Sequence, residues 1–347
     1  MTALPGATPE RAIGIGGARG HNGAAPQQWR AEALWQQLEP WLPGLSVEVL
    51  AQTESTNSLL LERARAGSGR HNAPVTTPGE LEHIRSRGGE AGSSGPFGRR
   101  AGDTQPALLV AEQQTLGRGR QGRIWHSRSG QSLTFSLALA LAPRDWLGLS
   151  LAVGVALADA LDPPEPGRRP RLGLKWPNDL WLIDVAGSAS ASGLPAAPGR
   201  KLAGVLIETI AVGSRRMVVV GVGLNVAPFE AATAGEPRDF GSGHAWLQEI
   251  DATATAPTAL HCVALPLVKS LQQFEREGFA GFATAYARRD LLRGLAIETS
   301  DALQGGTLAS GIAEGVSANG ALLLRTASGV QAVSSGEVSV RLAAIEP

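Results

Sequence analysis

The sequence predicts an α+β fold: a mixed β-sheet with helices, followed by a small C-terminal all-β module. Three observations carry this. Strand-length apolar runs cluster unevenly with helical patterns between residues 45 and 291, without the regular alternation of a doubly wound sheet. From residue 292 on, short strand patterns are separated by Gly and Asn-Gly turns, as in "EGVSANGALLLRTASGVQAV". Finally, 43% apolar against 18% charged residues in a chain of 347 supply enough apolar surface for a sizeable core.

The elements follow in order. Residues 1–27 are rich in Gly, Ala and Pro, and residues 1–44 read as a flexible segment with one helix. In "QQWRAEALWQQLEPWL" (27–42), Trp35, Leu38 and Leu42 fall at helical intervals and Pro43–Gly44 stops the pattern. A DNA-reading helix-turn-helix needs a second helix after a short turn, and none is legible there. "SVEVLAQTESTNSLLLERARAG" reads as a strand, a polar turn and a helix whose N-cap suits Ser55, Thr56 or Asn57. Residues 67–104 are glycine-rich and short of large apolar side chains, so a mobile insertion is expected. "ALLVAEQQT" and "SLTFSLALAL" are strands on either side of a Gly/Arg loop, and "LGLSLAVGVALADAL" has helical length. "RLGLKWPNDLWLI" precedes a second loose insertion at 184–199. "KLAGVLIETI" and "RMVVVGVGLNV" are buried strands, and the segment to about residue 291 is helical. The mixed-sheet unit would span 45–291 and the β-module 292–347.

Charge and cysteine usage exclude several classes. Lys plus Arg and Asp plus Glu both number 31, which argues against a dedicated nucleic-acid binder. The single cysteine, Cys262, rules out an intrachain disulfide or a cysteine zinc site, and its apolar helical context reads as a small core residue. No window has the length of a membrane span and no secretory signal is legible, so the cytoplasm is the default.

Four segments could carry chemistry. "GRGRQGRIW" (117–125) sets Gly117, Gly119 and Gly122 among Arg118, Arg120 and Arg123. The glycines admit a ligand close to the main chain, and the guanidinium forks suit carboxylate or phosphate. The spacing is neither that of an ATPase phosphate loop nor that of a dinucleotide fingerprint, and a solvated basic turn is the competing reading. "KWPND" (175–179) ends a strand at Trp176, leaves Lys175 at the sheet edge and puts Asn178 and Asp179 in the turn beyond; a plain packing turn would look the same. "RKLAGVLIE" (200–208) sets Lys201 at the mouth of an apolar strand, with Gly204 leaving room above it; a solvated lysine is the alternative. "GVGLNV" (221–226) thins a central strand and contains one polar side chain, Asn225. Together they describe a cationic, glycine-lined pocket in a neutral protein, and so an anionic small ligand. No His cluster, Cys pair or Ser-His-Asp pattern offers other chemistry.

These motifs, with "ESTN" (54–57) before them and "GEVSVR" (336–341) after, resemble in content and order those of bacterial biotin protein ligases of the ligase-only class, over 47–341 apart from the two insertions. The resemblance implies a biotin–lipoate ligase catalytic fold, like that of class II aminoacyl-tRNA synthetases, with an SH3-like C-terminal barrel. It implies that biotin's carboxylate attacks the α-phosphate of ATP, brought with Mg2+, to give biotinyl-5'-AMP. A lysine of the biotin carboxyl carrier protein of acetyl-CoA carboxylase then accepts the biotin. No enzyme nucleophile is needed. On this resemblance Lys201, Arg118 and Lys175 are the catalytic cations. Ser55, Thr56, Asn57 and Gln114 hold the ureido ring, and Arg118, Gly119, Arg120, Lys201 and Gly204 complete the biotin site. Arg118, Arg120, Trp125, Lys175, Asn178, Asp179 and Asn225 face the nucleotide, and Asp179 is the candidate for orienting Mg2+. The Gly/Arg loop would be a flexible lid that excludes water, with Arg118 as its gate and Trp125 packed on the closed loop. The chain departs from the repressor-type members in lacking a legible N-terminal DNA-binding domain, so no DNA partner is expected; no membrane partner is expected either, and a homodimer stays open. Two rival readings are a lipoate or octanoate ligase or transferase and a non-enzymatic biotin-sensing or carrier-binding module.

Overall fold

The computed structural model describes residues 27–68, 104–184, 198–228, 243–301, 306–334 and 338–342. The segments expected as a flexible N-terminus and as mobile insertions fall largely outside the described residues. Among the described residues one helix, α1 (Ala31–Leu38), precedes the first strand, and it buries Leu34 and Leu38.

A seven-stranded sheet carries the site. Its strands are β1 (Ser46–Thr53), β2 (Ala107–Gln114), β3 (Ser132–Ala140), β4 (Leu172–Lys175), β5 (Asp179–Ile183), β6 (Gly199–Val212) and β7 (Arg215–Asn225), in the order β1-β2-β3-β7-β6-β5-β4. β1 and β2 run parallel and every other pair is antiparallel, so the sheet is mixed. Helices α2 (Thr56–Ser68), α3 (Leu149–Leu161), α4 (Ala256–Glu277) and the short α5 (Ala283–Ala287) complete this unit. α3 is buried on nearly every side, as expected for a helix apolar all round, and packs with α4 against one face. Leu133, Phe135, Leu137, Val218, Val220 and Val222 point into that core.

α2 covers part of the opposite face. Its Leu60, Leu61 and Ala64 pack on Leu109, Ala138, Met217 and Val219. Strand side chains alternate between faces, so the α2 side can be read along each strand. On β7 it runs Met217, Val219, Gly221, Gly223, Asn225; on β3 it runs Ala140, Ala138, Ser136, Thr134, Ser132. Both change from apolar to small or polar. Under the helix the face makes a core, and beyond the helix N-terminus it makes the floor of a cleft.

The C-terminal unit is an antiparallel sheet of β8 (Ala296–Asp301), β9 (Thr307–Val316), β10 (Leu322–Thr326), β11 (Gly329–Val333) and β12 (Val338–Leu342), in the order β11-β10-β9-β8-β12. The expected barrel is not closed: among the described residues β11 and β12 are edges with no ladder between them. The unit docks through its β9–β10 turn. There the Gly320 carbonyl accepts from Trp176 Nε1 at 3.1 Å, and a side chain at Gly320 would run into the main chain of Gly148 at the start of α3.

Two corrections concern single residues. Cys262 is exposed on α4, with its thiol donating to the Ala160 carbonyl, because its position falls on the solvent side of the helical stripe. Asp179 opens β5, paired with Lys175, and so lies past the turn. Behind the site, Asp162 and Arg289 form a buried pair at 3.2 Å. Burial opposes the Asp162 charge, but the N–H groups of Arg171 and Leu172 and the Arg171 and Arg289 guanidinia outweigh it and hold the carboxyl below its ordinary value. No helix among the described residues is long and apolar enough to cross a membrane.

Candidate active site

A cleft of about 570 Å³ opens over the small and polar part of the sheet, within the size range of small-molecule sites. All of the sequence-derived candidates line it: Ser55, Thr56, Asn57, Gln114, Arg118, Gly119, Arg120, Trp125, Lys175, Asn178, Asp179, Lys201, Gly204 and Asn225. Its floor is the cross-strand row Asp179–Gly204–Gly223–Thr134 beside the row Leu206–Gly221–Ser136. A β-carbon at Gly221 would strike the Asn57 amide, and one at Gly223 would strike the Trp125 ring. These glycines are therefore required by close approach.

One end of the cleft is neutral and hydrogen-bonding. Ser55 accepts from the Ser58 N–H at 3.4 Å as the cap of α2, which points Thr56 and Asn57 at the floor. Gln114 Oε1 accepts from Thr56 N at 2.7 Å and from its hydroxyl at 3.1 Å. The Ser136 hydroxyl lies 2.6 Å from both Thr56 Oγ1 and Asn57 Oδ1. Asn57 Nδ2 donates to the Leu206 carbonyl at 3.2 Å and to Glu208 at 3.0 Å. Ser55, Thr56, Asn57 and Ser136 are all buried.

The other end is cationic. Lys201 Nζ pairs with Asp179 Oδ1 at 3.0 Å and lies 6.0 Å from the Trp125 ring centroid. A β-bulge aims it: Lys201 pairs with Trp181 and Ala203 with Leu180, so Leu202 is the extra residue. Leu202 drops into the core while Lys201 and Gly204 share the cleft face. Asn225 donates to the Lys201 carbonyl at 3.4 Å, so its amide steadies this corner. Lys175 is buried with its Nζ 5.2 Å from the Trp181 ring centroid. Among the described residues no group of three His, Cys, Asp or Glu could hold a metal ion.

The Gly/Arg loop is a defined hairpin that closes over the cleft. Trp125 N donates to the Gly117 carbonyl at 2.8 Å and Gly119 N to the Arg123 carbonyl at 2.7 Å. Its tip, Arg120–Gly122, turns through Gln121, which is left-handed at φ 60. The Trp125 ring packs on Gly223 at the floor, and among the described residues its buried indole N–H has no hydrogen-bond partner. The three arginines diverge. Arg120 reaches Asn178 Oδ1 at 3.4 Å, beside Asp179 and Lys201. Arg123 donates to Ser339 on β12 at 3.1 Å, and the same hydroxyl donates to Gln121 at 2.8 Å. Arg118, expected as the gate over the anion, instead donates to Glu208 at 2.7 Å and to Ser58 at 3.1 Å. Glu208 is seven residues along β6 from Lys201, or roughly 20 Å at strand rise. The hairpin tip, rather than its first arm, overhangs the cationic end.

Sequence reasoning missed Ser58, Ser136, Glu208 and Ser339. Ser136 was foreshadowed by the Ser/Thr alternation of "SLTFS", and Glu208 by its place as the one acid closing an apolar strand. Ser339 lies within the "GEVSVR" motif, but nothing in that motif singled it out.

Comparison with known proteins agrees with this geometry. Residues 101–225 match the biotin/lipoate A/B protein ligase family, and residues 302–341 match the biotin protein ligase C-terminal domain. The bifunctional ligase/repressor BirA of Escherichia coli is 30% identical over 87% of this chain and 76% of its own. The chain belongs to the biotin protein ligase family. The biotin–[acetyl-CoA-carboxylase] ligase of Paracoccus denitrificans is 32% identical over 67% of this chain and 89% of its own. The biotin protein ligase of Aquifex aeolicus, solved with biotin and ATP, shares the fold, with a TM-score of 0.56 at 24% identity over 86% of this chain and 99% of its own.

Proposed function

We propose that this ligase condenses biotin with ATP to biotinyl-5'-AMP and pyrophosphate, then transfers the biotinyl group to a lysine of the biotin carboxyl carrier protein of acetyl-CoA carboxylase. The observation that carries this is the polarity of the cleft: a fixed wall of neutral hydrogen-bonding groups at one end and converging cations at the other. A cyclic urea at one end of a ligand and a carboxylate at the other need this pairing. The first step brings two anions together. Lys201, Lys175 and Arg120 lower their mutual repulsion and stabilise the charge that develops as biotin's carboxylate oxygen bonds to the α-phosphorus and pyrophosphate leaves. Asp179 and Asn225 hold Lys201 in place for this. Mg2+ would accompany the nucleotide and add positive charge at its phosphates; Asp179, whose Oδ1 pairs with Lys201, would be the side chain to orient it.

The second step needs no nucleophile from this chain. The carrier's amine attacks the acyl carbon and AMP leaves. Until then the hairpin keeps water from a reactive mixed anhydride. A straight acyl chain, as in a lipoate or octanoate substrate, has no ring N–H or C=O to offer this wall and would forgo the hydrogen bonds a cyclic urea makes there, each worth about 0.5–1.5 kcal/mol. The intact cationic end argues for an enzyme over a passive sensor. The need for ATP and a carrier protein argues for a cytoplasmic activity. Biotin-dependent exchange of pyrophosphate into ATP tests the first step, and labelling of apo-carrier tests the second. Absence of exchange at saturating biotin and ATP would sink the reading.

A further inference from the structure

Glu208 commits its two carboxylate oxygens to two different parts of the site. Oε2 accepts from Asn57 Nδ2 at 3.0 Å, and Oε1 accepts from Arg118 Nη2 at 2.7 Å. Asn57 Nδ2 spends its other proton on the Leu206 carbonyl at 3.2 Å. With both amide protons held by the protein, and one lone pair of Oδ1 facing the Ser136 hydroxyl at 2.6 Å, Asn57 can offer a ligand only the second lone pair of Oδ1, an acceptor. A rotation of the amide by half a turn would present a donor instead, and the Glu208 carboxylate forbids it. The same carboxylate seats Arg118, whose other arm reaches Ser58 on α2 at 3.1 Å. Arg118 follows Gly117, where the hairpin closes on Trp125. One side chain thus fixes both what the neutral wall displays and where the loop begins.

We propose that Glu208 is a positioning residue that couples recognition of an N–H-bearing ring to the seating of the basic loop, and that Arg118 staples the loop to α2 and β6. This rests on the ligase reading above. Glutamine at 208 carries one acceptor oxygen and one amino group. Whichever way it turns, it confronts either Asn57 Nδ2 or Arg118 Nη2 with a second donor, and one link is lost. The chemistry at Lys201 and Arg120, at the far end of the cleft, is left standing.

The test uses the full chain in biotin-dependent pyrophosphate exchange. Glu208→Gln is expected to raise the KM for biotin about tenfold, as for the loss of one hydrogen bond to a charged group, with kcat within about twofold. Arg118→Gln, made on the exposed side of the same contact, is expected to do likewise. Because both break one linkage, the double variant should be little worse than the more affected single one. A general loosening of the fold would also raise KM, so a second readout is needed. Biotin methylated on a ureido nitrogen lacks a proton that Asn57 Oδ1 accepts, and wild type should prefer biotin over it. Glu208→Gln should shrink that preference. An unchanged KM, additive effects, or an undiminished preference would each overturn the proposal. If wild type itself shows no biotin-dependent exchange, the ligase reading falls and this inference with it. If wild type is active and Glu208→Gln behaves normally, this inference falls alone.

Discussion

At the scale of single residues, the site separates charge from recognition. Lys201 is held by Asp179 at 3.0 Å on a bulged strand, facing the cleft. Lys201→Ala should lower the rate of adenylate formation by about 10²–10³-fold, the usual effect of removing one preorganised charge-stabilising group. Stopped-flow measurement of pyrophosphate release would check the rate, and thermal unfolding should show a melting temperature close to wild type. The two loop arginines should differ. Arg120→Gly is expected to let the adenylate escape and label bystander lysines, seen as smeared biotinylation of a mixed protein pool. Arg118→Gly should label only the carrier, at a higher biotin requirement. The sequence did not distinguish them, because alternate Gly and Arg residues look equivalent until a fold reverses the chain. That reversal occurs at Gln121, a non-glycine residue in the left-handed region, and it decides which guanidinium overhangs the anion. Lys201, Asn57 and Gln114 were legible because each belongs to a motif whose chemistry admits few substitutes.

At the scale of elements, α2 decides where the neutral wall stands. Its first turn holds Ser55, Thr56 and Asn57 in place, and its apolar side rests on Leu109, Ala138, Met217 and Val219. Leu60 is almost wholly buried there. Leu60→Ala should cost about 2–5 kcal/mol in stability, a transfer term plus a cavity. A helix that settles into the cavity shifts its N-terminus, so the KM for biotin should rise although Leu60 touches no ligand. Chemical denaturation and exchange kinetics on the same variant would check both. The mixed sheet was legible from its apolar runs, and α3 from its length and composition. Strand order was not, since β7, besides forming a tight hairpin with β6, pairs on its other side with β3, far earlier in the sequence. The Cys262 reading failed at this scale too: an apolar stretch fixes a helix but leaves open which side faces water.

At the scale of the whole molecule, the two sheets meet at the hairpin. Ser339, on an edge strand of the second sheet, bridges Gln121 and Arg123 at its tip. The C-terminal unit therefore takes part in closing a cleft built by the first. Ser339→Ala should shorten the lifetime of the bound adenylate several-fold, as expected for one lost bridging hydroxyl worth about 1 kcal/mol. The first-turnover rate of adenylation should be unaffected. Filter-retention of labelled adenylate against time would measure it. Sequence analysis foresaw the second sheet but not this contact, since a serine among short strands carries no sign of a distant partner. Nor could it foresee the open edges at β11 and β12, because closure depends on a pairing that no local pattern encodes.

The glycine floor has a further consequence, for ligand size. The depth of the cleft is set by main chain, which has no rotamers to adjust, so the site works as a fixed gauge. Its three glycines are not equivalent. Gly221 and Gly223 lie beneath Asn57 and Trp125, while a methyl group at Gly204 would have Asp179 and Lys201 as its nearest neighbours, each at an ordinary 3.6 Å. Gly204→Ala should therefore fold normally, shorten the cleft by about one methyl, and select against biotin in favour of shorter-tailed analogues. Competition between biotin and norbiotin, one methylene shorter, would read the gauge directly.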